Sequence, residues 1–270
     1  MFVASLLRRT PTIRSNSMNP LVITALIFDI LIAAVLPIAA LIILKKRTGR
    51  GLLAALVGVS CFMLFAMFLE QLLHAVVIPM IGNNAILYGV YGCLAAGIFE
   101  ETGRLVGFSV LCKKDKSLAT GVGYGIGHGG GEALLLVGIS FIITLVTYFS
   151  GDAVLLSQLN DLATSNPFGL FAAGIERLSA MALQMALSIL MWMVVTKRVP
   201  FYFYIVSILL HALLDVPAVV YQTTGGSLVV IEAAIALLAV LSCLLVKYIY
   251  DKSKPAEKET DADAGQATTV

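Results

Sequence analysis

Charged residues are scarce in this chain of 270 residues: Asp, Glu, Lys and Arg make up 13% of it, while hydrophobic residues make up 59%. A typical soluble domain carries about 25% charged residues. Together with a mean hydropathy of +0.96, this composition excludes an ordinary soluble globule and indicates a polytopic membrane protein. The net charge of only +2 falls in short clusters rather than one patch, so we expect no nucleic-acid partner.

Cysteine is also scarce. The four cysteines are Cys61, Cys93, Cys112 and Cys243. No two of them form a CxxC motif or a close pair, which excludes a disulfide framework and a thiolate zinc site. We expect them to be small apolar packing residues.

Apolar runs of about 20 residues predict an all-α fold, a polytopic membrane bundle of about seven transmembrane helices. The predicted spans are Leu21–Leu44, Leu52–Ile78, Ala85–Leu111, Leu118–Phe149, Phe168–Thr196, Phe201–Tyr221 and Leu228–Tyr250. The segment Ser150–Pro167 is predicted to be a long loop. We expect residues 18–250 to form a single transmembrane domain.

Lysine and arginine follow the first, third, fifth and seventh predicted spans, and the alternate connections contain neither residue. Because cytoplasmic loops are enriched in both residues, the N-terminus is predicted outside and the C-terminus in the cytoplasm, with the plasma membrane as the location. Three arginines before Met18 disagree with this topology. We therefore expect Met18 to be the physiological start and residues 1–17 to be an upstream extension. The polar residues 251–270 predict a disordered cytoplasmic tail.

The first polar cluster inside an apolar run consists of Glu100, Glu101 and Arg104. A central charge in a membrane span costs about 2.5–3.5 kcal/mol on insertion scales, so this cluster requires a partner or a function. On a helix either glutamate can reach Arg104, but adjacent residues point about 100° apart. We expect one glutamate to neutralise Arg104 and the other to face a cavity. A purely structural ion pair is the alternative.

The second cluster, Tyr124, His128 and Glu132, has four-residue spacing and lies along one face of a predicted helix. A histidine and a glutamate at this spacing can share a metal ion or a proton, although such a pair is also a common structural contact. The surrounding glycines repeat every four residues, which favours close helix packing. Alternatively, this glycine-rich turn is partly unwound beside a cavity.

The third cluster is His211 and Asp215, again four residues apart, with Pro217 just beyond. Asp215 can fix the tautomer of His211, as outer carboxylates do for metal ligands. Alternatively, both side chains hydrogen bond to a developing oxyanion. Pro217 is expected to kink the helix because it removes a backbone hydrogen bond.

Two further pairs, Glu70 with His74 and Glu176 with Arg177, lie in the second and fifth predicted spans. Each can support a site, but structural pairing is the favoured interpretation of both. Arg177 can alternatively balance the excess of buried acids.

The order of these motifs resembles the CAAX-protease and bacteriocin-processing superfamily of intramembrane proteases. The motifs that carry the resemblance are Glu100-Glu101-x-x-Arg104, Tyr124-x-x-x-His128 and His211-x-x-x-Asp215. The chain is more similar to the YhfC family of intramembrane metalloproteases, through the GHGGxE run at Gly127–Glu132 and the pair Glu176-Arg177. The similar layout covers most of Leu21–Tyr250.

Two departures from the superfamily pattern affect the interpretation. Two residues, rather than the usual three, separate Glu101 from Arg104, which leaves open whether Glu100 or Glu101 is the base. Tyr124 replaces the usual phenylalanine and adds a hydroxyl that can donate a hydrogen bond.

The resemblance implies an intramembrane peptidase in which a glutamate and a histidine activate water. In the version with zinc, which we favour, His128 and His211 are the nitrogen ligands, and Glu132 or one of the paired glutamates supplies oxygen. In the metal-free version, His128 assists water activation and His211 with Asp215 stabilises the oxyanion. The expected substrate is a membrane-embedded or lipid-anchored protein or peptide.

Two alternatives remain open. Buried acids, histidines and arginines are also what a proton-coupled transporter needs, although no inverted repeat is visible in the sequence. The same fold can also serve as an immunity or binding protein without cleavage.

Overall fold

The computed structural model describes residues 18–253, and these residues form a bundle of eight long helices. The helices are α1 Pro20–Thr48, α2 Leu52–Ile81, α3 Ala85–Val106 with its extension Gly107–Leu111, α4 Leu118–Phe149, α5 Ala153–Ser165, α6 Pro167–Val195, α7 Phe203–Thr224 and α8 Leu228–Lys252. Within the described part, six of them are long and apolar enough to cross a membrane, all except α3 and α5. This confirms the predicted all-α polytopic membrane bundle.

The predicted span Ala85–Leu111 is a helix, α3, with the predicted bounds. Its more polar composition, with Glu100, Glu101 and Arg104 near the middle, separates it from the six apolar spans. All three charged side chains are buried inside the bundle. The charged residues of α3 therefore face the interior of the bundle.

Asparagine and aspartate side chains cap the N-termini of several helices. Asn19 caps α1, Asn84 caps α3, Asp152 caps α5 and Asn166 caps α6, each accepting a hydrogen bond from a backbone N–H of the first turn. Such caps satisfy donors that have no partner inside the helix.

The segment Ser150–Pro167, predicted as a loop, contains the helix α5. Its apolar residues Leu156 and Ala163 are buried in a cluster with residues of α1 and α6. The prediction was wrong here because it searched for runs of about 20 apolar residues, whereas α5 is shorter and amphipathic.

The glycine-rich part of α4 is continuous α-helix from Leu118 to Ala133. The partly unwound alternative was therefore wrong, and close packing is what the structure shows. A Cβ atom on Gly127 would collide with the Ala55 carbonyl of α2, and one on Gly129 would lie 2.8 Å from the Gln184 Cβ of α6. The glycines thus allow α4 to lie in backbone contact with its neighbours at the centre of the bundle.

Between residues 18 and 253, four helices contain a π-helical segment, at Leu31–Val35, Met63–Glu70, Gly107–Leu111 and Leu134–Gly138. Such segments are rare and often lie near functional sites. Pro217 lies within α7, which continues beyond it to Thr224.

Two predicted terminal segments fall largely beyond the described residues. The predicted extension, residues 1–17, lies wholly outside them, and so do residues 254–270 of the predicted tail. The helix α8 continues to Lys252, two residues into that tail.

Candidate active site

Polar side chains from four helices converge in the interior of the bundle. They are Glu100, Glu101 and Arg104 of α3, His128 and Glu132 of α4, Glu176, Arg177 and Gln184 of α6, and His211 and Asp215 of α7. The three sequence clusters, together with the pair on α6, therefore form one site. A charge buried away from water needs partners, and the contacts between these helices supply them.

Glu100 and Glu101 point in different directions, as the helical geometry requires. Glu101 is fully buried, forms an ion pair with Arg104, and lies with its Oε1 atom 2.9 Å from the His211 Nδ1 atom. Glu100 lines a cavity, and its Oε2 atom lies 2.8 Å from the His128 Nε2 atom. One glutamate is therefore the partner of the arginine, and the other faces the cavity.

Arg104 is completely enclosed, and all of its contacts are within the protein. Its guanidinium donates hydrogen bonds to Glu101, to the Gln184 amide oxygen and, at 3.2 Å, to the Ser188 hydroxyl. The same guanidinium lies 3.8 Å from Glu100. Arg104 therefore stabilises the buried acids and is not open to the cavity.

Glu132 receives hydrogen bonds from two residues of α6. Arg177 donates to its Oε1 atom at 2.7 Å, and Gln184 donates to its Oε2 atom at 2.6 Å. Arg177 also pairs with Glu176. The pair predicted from the sequence is thus present, and Arg177 additionally links Glu176 to Glu132.

Of the two roles predicted for Asp215, the structure contradicts the first, a contact that fixes His211. In the part of the chain that the structure describes, no hydrogen bond joins Asp215 to His211; Glu101 contacts the His211 Nδ1 atom instead. Asp215 lines the cavity. The residue that fixes the orientation of His211 is therefore Glu101, because α3 brings its carboxylate nearer to the imidazole.

Tyr124 lies one turn before His128 and is fully buried. Its hydroxyl donates a hydrogen bond of 3.2 Å to the Gly103 carbonyl of α3. The extra hydroxyl, relative to phenylalanine, thus joins α4 to α3 beside the site.

The pair Glu70 and His74 has a separate set of contacts. The Glu70 Oε1 atom lies 3.1 Å from the His74 Nε2 atom, and the His74 Nδ1 atom lies 2.8 Å from the Tyr91 hydroxyl. These contacts join α2 to α3 and fit the favoured structural interpretation.

The cavity has a volume of about 110 Å³ and is lined by residues of α3, α4, α6, α7 and α8. This volume is large enough for several water molecules. Four carboxylates line the cavity, those of Glu100, Glu132, Glu176 and Asp215, against the single guanidinium of Arg177. The lining therefore favours a bound cation.

Glu100, His128 and Glu132 offer ligand atoms that all lie within 4.8 Å of one another. One imidazole and two carboxylates supply three nitrogen and oxygen ligands, the number of protein ligands with which catalytic zinc sites keep a fourth position open. The His128 Nδ1 atom is buried without a partner among the described residues. The donor set thus fits zinc and contains His128 and Glu132 of the predicted ligands, with Glu100 in addition. The His211 Nδ1 atom contacts Glu101, and its Nε2 atom lies 3.7 Å from Glu100.

The sequence interpretation missed Gln184 and Ser188. Both are buried on α6 and contact Arg104. Gln184 follows Arg177 by seven residues and Ser188 follows Gln184 by four, which places all three on one helical face. That spacing is the signal that could have found them.

A helical membrane bundle that encloses a carboxylate and histidine centre defines the class of this protein: a polytopic integral membrane protein with a polar site in its interior. The family described as YhfC intramembrane metalloprotease matches residues 32–237, a range that contains every residue of the site. The chain belongs to this YhfC family, which confirms the resemblance to YhfC found in the sequence.

The chain is similar to the "Uncharacterized membrane protein YhfC" of Bacillus subtilis (strain 168). The two are 36% identical over 232 residues, which cover 78% of this chain and 90% of that protein. No solved structure matches the chain.

Proposed function

We propose that this protein is an intramembrane metallopeptidase that hydrolyses a peptide bond of a membrane-embedded or lipid-anchored protein or peptide. The observation that carries the proposal is the group of Glu100, His128 and Glu132, which lies buried beside a cavity within a membrane bundle. The description of the matching family, an intramembrane metalloprotease, supports the same reaction.

Glu100 is the residue best placed to act as the general base. All its polar contacts with described residues use Oε2, which leaves Oε1 open to a water molecule in the cavity. Glu101 is sealed from the cavity by its contacts with Arg104 and His211. The proton of the attacking water therefore passes to Glu100 rather than to Glu101.

In the proposed reaction, the water oxygen forms a bond with the carbonyl carbon of the substrate while Glu100 accepts a proton. The carbon–nitrogen bond then breaks, and the same proton is transferred to the leaving nitrogen. The products are a carboxylic acid and an amine, and Glu100 returns to its ionised form. In the absence of zinc, His128 orients the Glu100 carboxylate through the contact between Nε2 and Oε2.

Zinc would be held by His128, Glu132 and one carboxylate oxygen of Glu100, so that the other oxygen of Glu100 remains the proton acceptor. When bound, zinc supplies a Lewis acid and acidifies water. Arg177 and Gln184 fix the orientation of Glu132 through their hydrogen bonds. His211 presents its Nε2 atom 3.7 Å from the Glu100 carboxylate. From this position a protonated Nε2 can donate a hydrogen bond to the oxyanion of the substrate.

The cavity of about 110 Å³ is smaller than the roughly 300–1,000 Å³ of ordinary ligand pockets. It accommodates the attacking water but not a stretch of peptide. A peptide substrate therefore extends beyond the volume of this cavity. We further propose that the protein lies in the plasma membrane with a cytoplasmic C-terminus, as the lysine and arginine distribution predicts.

The test is to purify the protein in lipid and to measure cleavage of a library of membrane peptides by mass spectrometry. We expect cleavage by the wild type and its loss in Glu100→Gln, His128→Ala and His211→Ala. Cleavage retained in all three variants would exclude this site. A proton flux in reconstituted vesicles that the same variants abolish, without any cleavage, would favour the transporter. Ligand binding without cleavage or flux would favour the binding protein.

A further inference from the structure

Gln184 of α6 occupies the centre of the polar site and is almost completely buried. Its Nε2 atom donates hydrogen bonds to the Glu100 Oε2 atom at 3.0 Å and to the Glu132 Oε2 atom at 2.6 Å. Its amide oxygen accepts a hydrogen bond from Arg104. A single neutral side chain thus contacts both carboxylates of the candidate zinc site and the buried guanidinium.

The chemistry of the partners fixes the orientation of this amide. The Arg104 guanidinium has only donors, and an ionised carboxylate has only acceptors. A reversed amide would direct its oxygen at Glu100 and Glu132, and its NH₂ group at Arg104. Only the observed orientation satisfies all three partners.

The amide also has an electrostatic consequence. Two ionised carboxylates close together repel each other. A cationic side chain between them would remove this repulsion, but it would also neutralise the negative charge that attracts a metal ion. The two N–H groups of Gln184 hold the Glu100 and Glu132 carboxylates together without adding positive charge. Arg104 is meanwhile engaged by Gln184 and Glu101 and stays 3.8 Å from Glu100.

The position of Gln184 is itself fixed by the fold. A Cβ atom on Gly129 of α4 would lie 2.8 Å from the Gln184 Cβ atom, so the glycine gives the side chain its room. The Ser188 hydroxyl donates to the Gln184 backbone carbonyl at 2.7 Å and accepts a hydrogen bond from Arg104. Packing and hydrogen bonds therefore hold the amide in one place.

We propose that Gln184 is a positioning residue that holds the carboxylates of Glu100 and Glu132 at the separation a divalent cation requires and keeps Arg104 away from them. The proposal rests on the proposed metal centre but not on peptide hydrolysis. Residues outside the ligand set commonly orient metal ligands in this way.

The first test compares zinc affinity between Gln184→Met and the wild type, using the full-length protein in lipid nanodiscs and a competing fluorescent chelator. Methionine keeps the length and the helix propensity of glutamine but has no donor. We expect zinc affinity to fall about 10–100-fold, the usual effect of losing an outer partner of a metal ligand, and to stay within about twofold in the control Gln71→Met. Gln71 is a second amide of the bundle, on α2, and it donates to the Ala66 backbone carbonyl.

Gln184→Asn is the second variant, because a shorter amide keeps its donors but cannot reach both carboxylates. We expect its zinc affinity to lie between those of Gln184→Met and the wild type. An affinity in both variants equal to that of the wild type would overturn the proposal.

The second test does not depend on zinc. In a structure of Gln184→Met at side-chain resolution, we expect the Glu100 and Glu132 carboxylates to move apart and Glu100 to approach Arg104; unchanged carboxylates would overturn the proposal. If the wild type binds no zinc, this structure alone decides the question. Cleavage by the wild type is measured separately. A protein that binds zinc with an affinity that depends on Gln184, but cleaves no peptide, would refute only the proposed peptidase activity.

Discussion

Glu100 and Glu101 are adjacent in the sequence, yet their carboxylates contact different histidines. The Glu100 Oε2 atom lies 2.8 Å from the His128 Nε2 atom, and the Glu101 Oε1 atom lies 2.9 Å from the His211 Nδ1 atom. Only Glu100 lines the cavity, since Glu101 is also paired with the buried Arg104. The two residues are therefore expected to differ in function, and their variants should separate chemistry from stability.

Glu100→Gln should abolish cleavage but preserve the fold, because a glutamine still bonds to His128 but cannot accept the proton of water. Loss of a general base lowers the rate by about 10²–10⁴-fold. Glu101→Gln should lower the free energy of unfolding by about 3–5 kcal/mol, because it leaves the Arg104 charge without its counterion. Cleavage assays and unfolding in detergent micelles measure the two effects. The reverse pattern would assign the base to Glu101.

The membrane bundle could be predicted from the sequence because composition and helical periodicity are local properties. All seven predicted spans are helices, and four-residue spacing correctly placed Tyr124, His128 and Glu132 along one face of α4. The amphipathic helix α5 was missed because its apolar face becomes visible only when α1 and α6 lie beside it. Local patterns thus predicted the long apolar helices, but not the short helix whose apolar face depends on its neighbours.

The site could be predicted only in part, because the spacing of residues along one helix does not show which residues of other helices they contact. The sequence offered Asp215 as a candidate partner of His211, but the structure places Glu101 there. Gln184 was missed because an amide carries no charge, and its role depends on carboxylates contributed by two other helices.

Tyr124→Phe should fold and retain cleavage. The change removes the hydrogen bond from the Tyr124 hydroxyl to the Gly103 carbonyl and is expected to cost about 0.5–1.5 kcal/mol of stability. Phenylalanine is also the residue that the resembled superfamily usually has at this position. Loss of cleavage in a folded Tyr124→Phe protein would instead give the hydroxyl a part in the chemistry.

Gly127→Ala should destabilise the bundle, because the added methyl group would collide with the Ala55 carbonyl of α2. Overpacking of this kind costs about 1–3 kcal/mol. The matched control is Gly92→Ala on α3, where a Cβ atom meets nothing within 4 Å. Replacing that helical glycine should stabilise the protein by about 0.5–1 kcal/mol. Thermal unfolding of both variants compares their stabilities. Equal changes in stability would show that Gly127 is not required for the close contact between α2 and α4.

Removal of metal should lower the stability of the wild type, because an ion that binds only the folded protein stabilises it by mass action. Zinc at about 100 times its dissociation constant contributes about 2.7 kcal/mol. We therefore expect chelation to lower the unfolding temperature and zinc to restore it.

His128→Ala should remove this response to zinc, because His128 supplies the imidazole of the candidate donor set. His74→Ala is the control, since His74 contacts Glu70 and Tyr91 rather than the cavity. It should keep the full zinc response even if its own stability falls. A zinc response that survives in His128→Ala but disappears in His74→Ala would place the metal site near His74 rather than at the centre of the bundle. Because the two histidines lie on different helices and share no contact among the described residues, the comparison separates loss of a ligand from loss of packing.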